Sequence, residues 1–483
     1  MLFNSFAFLV FFVLVTGIYL ALPHRFRWFH LLVSSCVFYG YYMPAYLLVL
    51  GSVIVIDYFA GLLIWNAQGP KRKAWLLMSL AANIGVLCFF KYYNFFAENI
   101  NTLLHRGSDG SSSIPYLHLL LPMGLSFHTF QAMSYNIEVY RGNFQPERKM
   151  GFYALYIMFY PQLMAGPIER PADMLPQLHE EKSPGYDDIS DGLRLLLWGL
   201  FKKAVIADRL AMVVDAVYAH PRGHSNMDVL LAAVLFSFQI LCDFSGYTDM
   251  ARGAARIMGF RLVRNFDQPF ISRSITEFWR RWHISLSSWL NDYLYTPLSL
   301  NMRNLGKAGI IIAIAITFFI SGLWHGAGWT FVMYGLLNGA AVIYELLTRK
   351  ARKKIFAHVP VWLNNGLSIA ITFCYASFTW IFFRAPTVRT AWHIAKRAAY
   401  GFRDIVLSLE GKPLHTVLPA KETGSALLLL AVLGISSALM QRAEQRAVGL
   451  QSRTVRWAFY YLLCLGIVFA GIFEHRQFIY FQF

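Results

Sequence analysis

The chain is poor in charge, and poorest in acid. Charged residues make up 14% of it, with 26 Asp and Glu against 43 Lys and Arg. Soluble proteins carry about 25% charged residues, so an ordinary soluble enzyme is excluded. Cysteine is scarce as well: Cys36, Cys88, Cys242, Cys374 and Cys464 lie singly in apolar stretches. No disulfide framework and no metal-ligand spacing can be read from them, and a buried, unreactive thiol is the default for each. Also missing are His-Glu-x-x-His, a P-loop and a Gly-x-Gly-x-x-Gly in a strand–helix setting. No internal repeat of 20–50 residues is present. Without any nucleic-acid motif, the net charge of +17 points to anionic lipid headgroups, not to DNA or RNA.

Apolar and aromatic residues are plentiful, at 57% and 17% of 483 residues. At ~20 residues per span, the predicted architecture is an all-α polytopic membrane protein of roughly 10–12 spanning helices, forming one domain over 1–483. The first apolar run, Phe3–Leu22, lacks a basic leader and a small-residue cleavage site, and reads as a retained helix. Basic residues cluster at His24–Arg27, Lys71–Lys73 and Arg349–Lys354. The positive-inside rule makes these loops cytoplasmic and puts the N-terminus outside. The polar loop Thr102–Ser113 falls outside too, and the aromatic end Glu474–Phe483 reads as interfacial.

Several stretches depart from clean spans. Lys91 interrupts the run Trp75–Phe96 and is expected to snorkel to the interface. Leu117–Val139 contains Pro122, Gly124, His128 and Gln131, the marks of a broken or cavity-lining helix; His128 reads as a packing histidine or a functional one. Pro161, Gly166, Pro167 and Pro171 make a turn or re-entrant element. Ile189–Tyr218 carries Arg194, Lys202, Lys203 and Arg209, which predicts a basic amphipathic helix lying in the interface. Asp243 and Asp249 precede Arg252, Arg256, Arg261 and Arg264, suggesting either ion pairs that fix a loop or a substrate role.

The chain centres on two basic, aromatic pieces that each place a histidine beside a tryptophan. In Ile275-Thr-Glu-Phe-Trp-Arg-Arg-Trp-His283-Ile-Ser-Leu-Ser-Ser-Trp289, the apolar residues Ile275, Phe278, Trp282, Leu286, Trp289 and Tyr293 recur with helical spacing. The spacing predicts one oblique helix over Ser274–Tyr295, and an interfacial anchor explains it without chemistry. The second piece is Ile320-Ser-Gly-Leu-Trp-His325-Gly-Ala-Gly-Trp329. His325 sits at the seam of two apolar runs, flanked by Gly322, Gly326 and Gly328. Irregular backbone at membrane depth is tolerated only under protein or beside water. An imidazole there can exchange a proton near neutral pH; a hydrogen-bonded histidine inside a bundle is the plainer alternative.

At these residues the chain resembles the membrane-bound O-acyltransferases, in particular the bacterial alginate O-acetylation branch. The likeness rests on the order and number of pieces across most of the chain. They are Met158-Phe-Tyr-Pro-Gln-Leu-Met-Ala-Gly-Pro-Ile-Glu-Arg170, Phe244-Ser-Gly-Tyr-Thr-Asp-Met250, the two histidine pieces, Asp292-Tyr-Leu-Tyr-Thr-Pro-Leu298 and Phe478-Ile-Tyr-Phe-Gln-Phe483. The resemblance implies re-entrant and interfacial helices around a central tunnel, in a bacterial cytoplasmic membrane. It implies catalytic roles for His325 and His283, with Trp324, Arg281, Trp282, Asn291 and Asp292 as candidate substrate-binding residues and no metal. The implied donor is cytoplasmic, with acetyl-CoA expected, and the implied partner is a periplasmic or extracellular acetyltransferase that modifies a polysaccharide. D-alanyl transfer to teichoic acid, and O-acetylation of peptidoglycan or cellulose, belong to related systems.

The expected chemistry follows. His325 acts as general base on an acceptor hydroxyl, and His283 orients the donor or stabilises charge. Backbone N–H groups around Gly326 and Gly328 are candidate oxyanion donors. A transporter or passive acyl conduit is the non-enzymatic alternative, since broken apolar helices with intramembrane polar residues also describe transporters.

Overall fold

The computed structural model describes residues 1–104, 113–118, 121–410, 416–444, 453–473 and 478–479. The polar loop at 105–112 and nearly all of the aromatic C-terminal segment, including most of its family-like piece, lie outside them. Among the described residues there is no strand. The protein is an all-α polytopic membrane protein. Among the described residues, six helices are long and apolar enough to cross a membrane, and two shorter ones, Phe6–Ala21 and Thr454–Ala470, are apolar as well.

The first layer holds α1 (Phe6–Ala21), α2 (His24–Gly40), α3 (Tyr46–Asn66) and α4 (Gly69–Leu87). A π-helical turn, Cys88–Tyr92, joins α4 to α5 (Tyr93–Leu104). Next come α6 (Leu125–Arg141), α7 (Met150–Met158) and α8 (Pro171–His179). The expected break in the Leu117–Val139 run is real. Gly124 takes a left-handed conformation (φ 75°), and α6 begins directly after it. A Cβ at Gly124 would lie 2.3 Å from the Leu163 carbonyl oxygen, so only glycine fits both the φ and the space. Residues 159–170 form a buried, non-helical segment, as the paired prolines predicted.

The middle of the chain folds as α9 (Tyr186–Phe201), a π-helical stretch Lys202–Ala207, α10 (Asp208–Ala219) and α11 (Asn226–Ile257). The expectation of an interfacial amphipathic helix over Ile189–Tyr218 is not met. α9 packs along α11 through glycines: a Cβ at Gly192 would meet the Gly253 carbonyl oxygen at 2.7 Å, and one at Gly199 the Gly246 carbonyl oxygen at 2.5 Å. Small residues let the two backbones touch. Lys202 and Lys203 turn inward, where Lys203 Nζ lies 2.7 Å from Asp243 and 2.9 Å from Asp208. Asp243 and Asp249 on α11, remote in sequence, and nearby Asp208 on α10 satisfy charges that looked like headgroup contacts. Asp243 and Asp249 themselves lie on the unbroken α11, paired with lysines as well as Arg252.

The last third holds α12 (Ile275–Arg281), α13 (Ile284–Leu290), a π-helical turn Asn291–Tyr295 and α14 (Thr296–Asn301). Then follow α15 (Lys307–His325), α16 (Trp329–Ile355), α17 (Val361–Arg384), α18 (Val388–Leu409), α19 (Ala420–Glu444) and α20 (Arg453–Ala470). The single helix expected over Ser274–Tyr295 is two helices, broken at His283. α15 and α16 cross tightly: a Cβ at Gly322 would sit 2.4 Å from the Phe331 carbonyl oxygen, and one at Gly335 2.2 Å from that of Phe318.

Candidate active site

His325 is the last residue of α15 and is 4% exposed. The helix stops there because Gly326 and Gly328 are extended and Phe331 packs over Gly326, where a Cβ would lie 2.2 Å from its ring. The seam inferred from the glycines is therefore a helix end inside the bundle. The imidazole is boxed by aromatic edges: Trp324 at 5.0 Å, Phe383 at 5.3 Å and Tyr334 at 5.7 Å between ring centroids. The expected oxyanion donors are committed elsewhere. Gly326 N–H donates to the Gly322 carbonyl (3.4 Å) and Gly328 N–H to that of Gly326 (3.1 Å).

His283 is fully buried and has a left-handed backbone, φ 44° and ψ 56°. For a residue other than glycine this costs about 1–3 kcal/mol. Asn265 compensates. Its carbonyl accepts Ile284 N–H (2.9 Å), and its side-chain Oδ1 accepts both Ser285 N–H (3.1 Å) and Ser285 Oγ–H (3.0 Å). Ser285 Oγ in turn accepts Ile168 N–H at 3.0 Å. The left-handed turn thus locks α13 to the buried segment 159–170 and turns the imidazole inward. There it lies parallel to Phe127 (6.1 Å) and edge-on to Phe244 (4.7 Å).

Trp324 joins the two histidines. Its ring centroid lies 5.9 Å from that of His283 and 5.0 Å from that of His325. α6 fixes this indole: its N–H donates to the Ser126 carbonyl (3.3 Å), and Phe130 stacks on it at 5.5 Å. Phe130 also stacks on Trp289 at 3.8 Å. Each such aromatic pair contributes about 0.5–1.5 kcal/mol beyond its buried area.

Lys91 completes the centre, and the sequence reading missed it. It does not snorkel. From the π-helical turn its ammonium donates to the carbonyls of Trp324 (2.6 Å) and His325 (3.1 Å), at the C-terminal end of α15. A cation suits the negative end of a helix. The signal was present as a lysine inside an apolar run; its partner, 233 residues away, was not legible.

A small pocket of about 30 Å³ is lined by Lys91, Trp324 and His325, and a separate cleft of about 580 Å³ lies between α12–α14 and α15. Ile314, Thr317 and Ser321 line it along one face of α15, and His325 is the next residue on that face. Trp279, Arg280, Ser288 and Asn291 form part of the opposite wall. Of the candidate binding residues, Trp324 is at the centre and Asn291 in the cleft. Arg281 pairs with Glu277 at 2.8 Å. Trp282 packs against Trp380 (4.8 Å) and Phe266 (5.0 Å). Asp292 binds Arg170 at 2.9 Å. His128 is buried, and neither ring nitrogen has a hydrogen-bond partner among the described residues. No three His, Cys, Asp or Glu side chains among those residues gather as a metal-ligand set. All five cysteines are free. Only Cys242 is fully buried, while Cys374 and Cys464 lie on the exposed surface.

Paired histidines inside a polytopic helical bundle fit a membrane-embedded transferase. Residues 149–385 match the profile of the MBOAT, membrane-bound O-acyltransferase family. A probable alginate O-acetylase of Pseudomonas aeruginosa is 35% identical over 92% of this chain and 84% of its own length. A peptidoglycan O-acetyltransferase of Helicobacter pylori is 32% identical over 94% and 91%. A teichoic acid D-alanyltransferase of Bacillus subtilis is 28% identical over 56% and 70%. The chain belongs to the membrane-bound O-acyltransferase family and is an O-acyltransferase.

Proposed function

We propose that this protein takes an acetyl group from acetyl-CoA at the cytoplasmic face of a bacterial inner membrane and passes it outward for O-acetylation of an alginate-like polysaccharide. A periplasmic or extracellular acetyltransferase completes the transfer. The observation that carries this reading is the packing of His283 and His325 against one indole, with a cleft along α15 that ends one helical turn short of His325. Pockets of about 300–1,000 Å³ suit a small ligand, and the 580 Å³ cleft is matched to a thioester arm. The greater likeness to O-acetylases in identity and extent favours acetyl over D-alanyl transfer.

In this mechanism the acceptor oxygen bonds to the thioester carbonyl carbon while its proton passes to His325. The carbon–sulfur bond then breaks, and the departing thiolate takes the proton back. A positioned base contributes about 10²–10⁴-fold. His283 orients the acetyl group. Lys91 holds the turn that carries His325. Trp324 keeps the two imidazoles at a fixed separation.

The test is transfer of label from acetyl-CoA by purified protein in liposomes, wild type beside His325→Ala. Label reaching an acceptor or partner protein only with His325 intact supports the reading. Equal transfer by both overturns the base assignment. A passive conduit predicts that His325→Gln retains transfer, whereas a base predicts its loss.

A further inference from the structure

A second cavity, of about 250 Å³, opens among α9, α11 and α19. One wall is ionic, with Lys202, Asp249, Arg252 and Arg264. Lys202 Nζ donates to Ser245 Oγ (2.8 Å) and Asp249 Oδ2 (2.6 Å), and Arg252 Nη1 to Asp249 Oδ1 (3.3 Å). Arg264 pairs with Asp267 at 3.3 Å. Three cations therefore meet two carboxylates; Glu169, which also feels Arg252, is kept protonated near neutral pH by burial, its carboxyl pushed up to about 8, and one positive charge is left over. Arg252 Nε is buried without an acceptor. A buried donor without an acceptor is costly, so the site favours a further anion.

The facing wall is apolar. It is formed by Phe238 and Leu241 of α11 and by Leu430, Leu433 and Gly434 of α19. The neighbouring α19 residues Leu427, Leu428 and Ile435 are exposed on the protein surface, where a membrane protein meets acyl chains. The π-helical stretch Lys202–Ala207 is part of the construction. Such insertions frequently mark functional sites; here it turns two consecutive lysines into the bundle, Lys202 toward this cavity and Lys203 toward Asp208 and Asp243.

We propose that this cavity holds the headgroup of an anionic phospholipid. The phosphodiester monoanion matches the single surplus charge and accepts hydrogen bonds from Arg252 and Arg264, while an acyl chain lies along Leu430 and Leu433. A soluble phosphate gains nothing from the leucine wall. A zwitterionic lipid brings its own ammonium against cations. The inner end is Phe266, 5.1 Å from Phe244, which packs at 4.7 Å on His283. One pair of aromatic rings separates the lipid from the active site.

The experiment is native mass spectrometry of the full-length protein with phosphatidylglycerol or phosphatidylcholine, and with inorganic phosphate and CoA as competitors. Three variants accompany the wild type. Arg264→Gln removes a half-exposed cation. Gly434→Trp fills the cavity, and is tolerated because a Cβ at Gly434 meets nothing within 4 Å. Lys350→Gln, in the basic end of α16, controls for general surface attraction. Each basic residue at a lipid headgroup is worth about fivefold in affinity. The expected result is preferential retention of phosphatidylglycerol, weakened about fivefold by Arg264→Gln, abolished by Gly434→Trp and unchanged by Lys350→Gln. Equal retention of both lipids overturns the proposal. So does phosphatidylglycerol binding that ignores Gly434→Trp, and so does displacement by phosphate or CoA, which would make the cavity a soluble-phosphate site.

Discussion

Replacing Lys91 with methionine tests the geometry around His325. The ammonium makes two charge-assisted hydrogen bonds, at 2.6 Å and 3.1 Å, to the last carbonyls of α15. Bonds of this kind contribute about 1.5–3 kcal/mol each. Methionine keeps the length and apolar volume of the side chain and removes both. Burying an ammonium is itself costly, so the net loss of stability is expected to be smaller, about 1–3 kcal/mol. The catalytic loss should exceed it. Without the clamp, the turn carrying Trp324 and His325 is free to relax, and a misplacement of about 1 Å costs on the order of 100-fold in rate. The assay is the initial rate of acetyl transfer in proteoliposomes, with His325→Ala as the zero. The expected kcat is about 10–100-fold below wild type. The KM for acetyl-CoA should barely move, because Lys91 does not line the large cleft. Lys91→Arg, which retains the charge and donors, should recover part of the rate. Size-exclusion profiles and melting temperatures separate this from loss of folded protein. A folded Lys91→Met protein with wild-type kcat, or with only a raised KM, refutes the reasoning.

Asn265→Ala removes the acceptor that holds both Ser285 donors and so frees the left-handed turn at His283. We expect a loss of about 1–2 kcal/mol and a larger fall in transfer rate; a folded variant with unaltered transfer would mean that the orientation of His283 is immaterial. Gly335→Val places a branched side chain where a Cβ is already 2.2 Å from the Phe318 carbonyl oxygen. It should prevent α15 and α16 from closing, and wild-type abundance of monodisperse protein would refute this. Glu169 lies outside the spanning helices and is completely buried, accepting Val263 N–H at 2.7 Å. Burial pushes its carboxyl up to about 8, against about 4.3 in an unfolded chain. Because the folded value is the higher one, its stabilising contribution is complete at low pH and is lost as pH rises from about 4.3 to about 8. The melting temperature of the wild type should fall across that window, and that of Glu169→Gln should fall less; parallel curves exclude Glu169 as the cause.

The legible part of this protein was its local chemistry. A histidine between glycines, at the junction of two apolar runs, suggested an irregular segment, and α15 stops there. Pro122 and Gly124 foretold the broken start of α6, and the prolines from Pro161 to Pro171 foretold the buried non-helical segment. What escaped was whatever depends on a distant partner. Lys91 looked interfacial because the carbonyls it clamps belong to the other end of the chain. Lys202 and Lys203 looked interfacial because Asp249 and Asp243 come 47 and 40 residues later, on a helix that only packing brings alongside.

The break at His283 is the most instructive failure. The apolar spacing from Ile275 to Tyr293 is truly helical, and α12 and α13 each obey it. Periodicity cannot register one left-handed residue, since a single positive φ leaves the pattern on either side unchanged. The compensating hydrogen bonds come from Asn265, eighteen positions earlier and unremarkable in sequence. That strained turn places His283 against Phe127, Phe244 and Trp324 and so beside His325. A continuous helix would have fixed residue 283 by its place in the repeat alone. The departure from regular structure at this point is what brings the second imidazole to the first, and the hydrogen bonds that hold the turn are therefore as much a part of the site as the histidines.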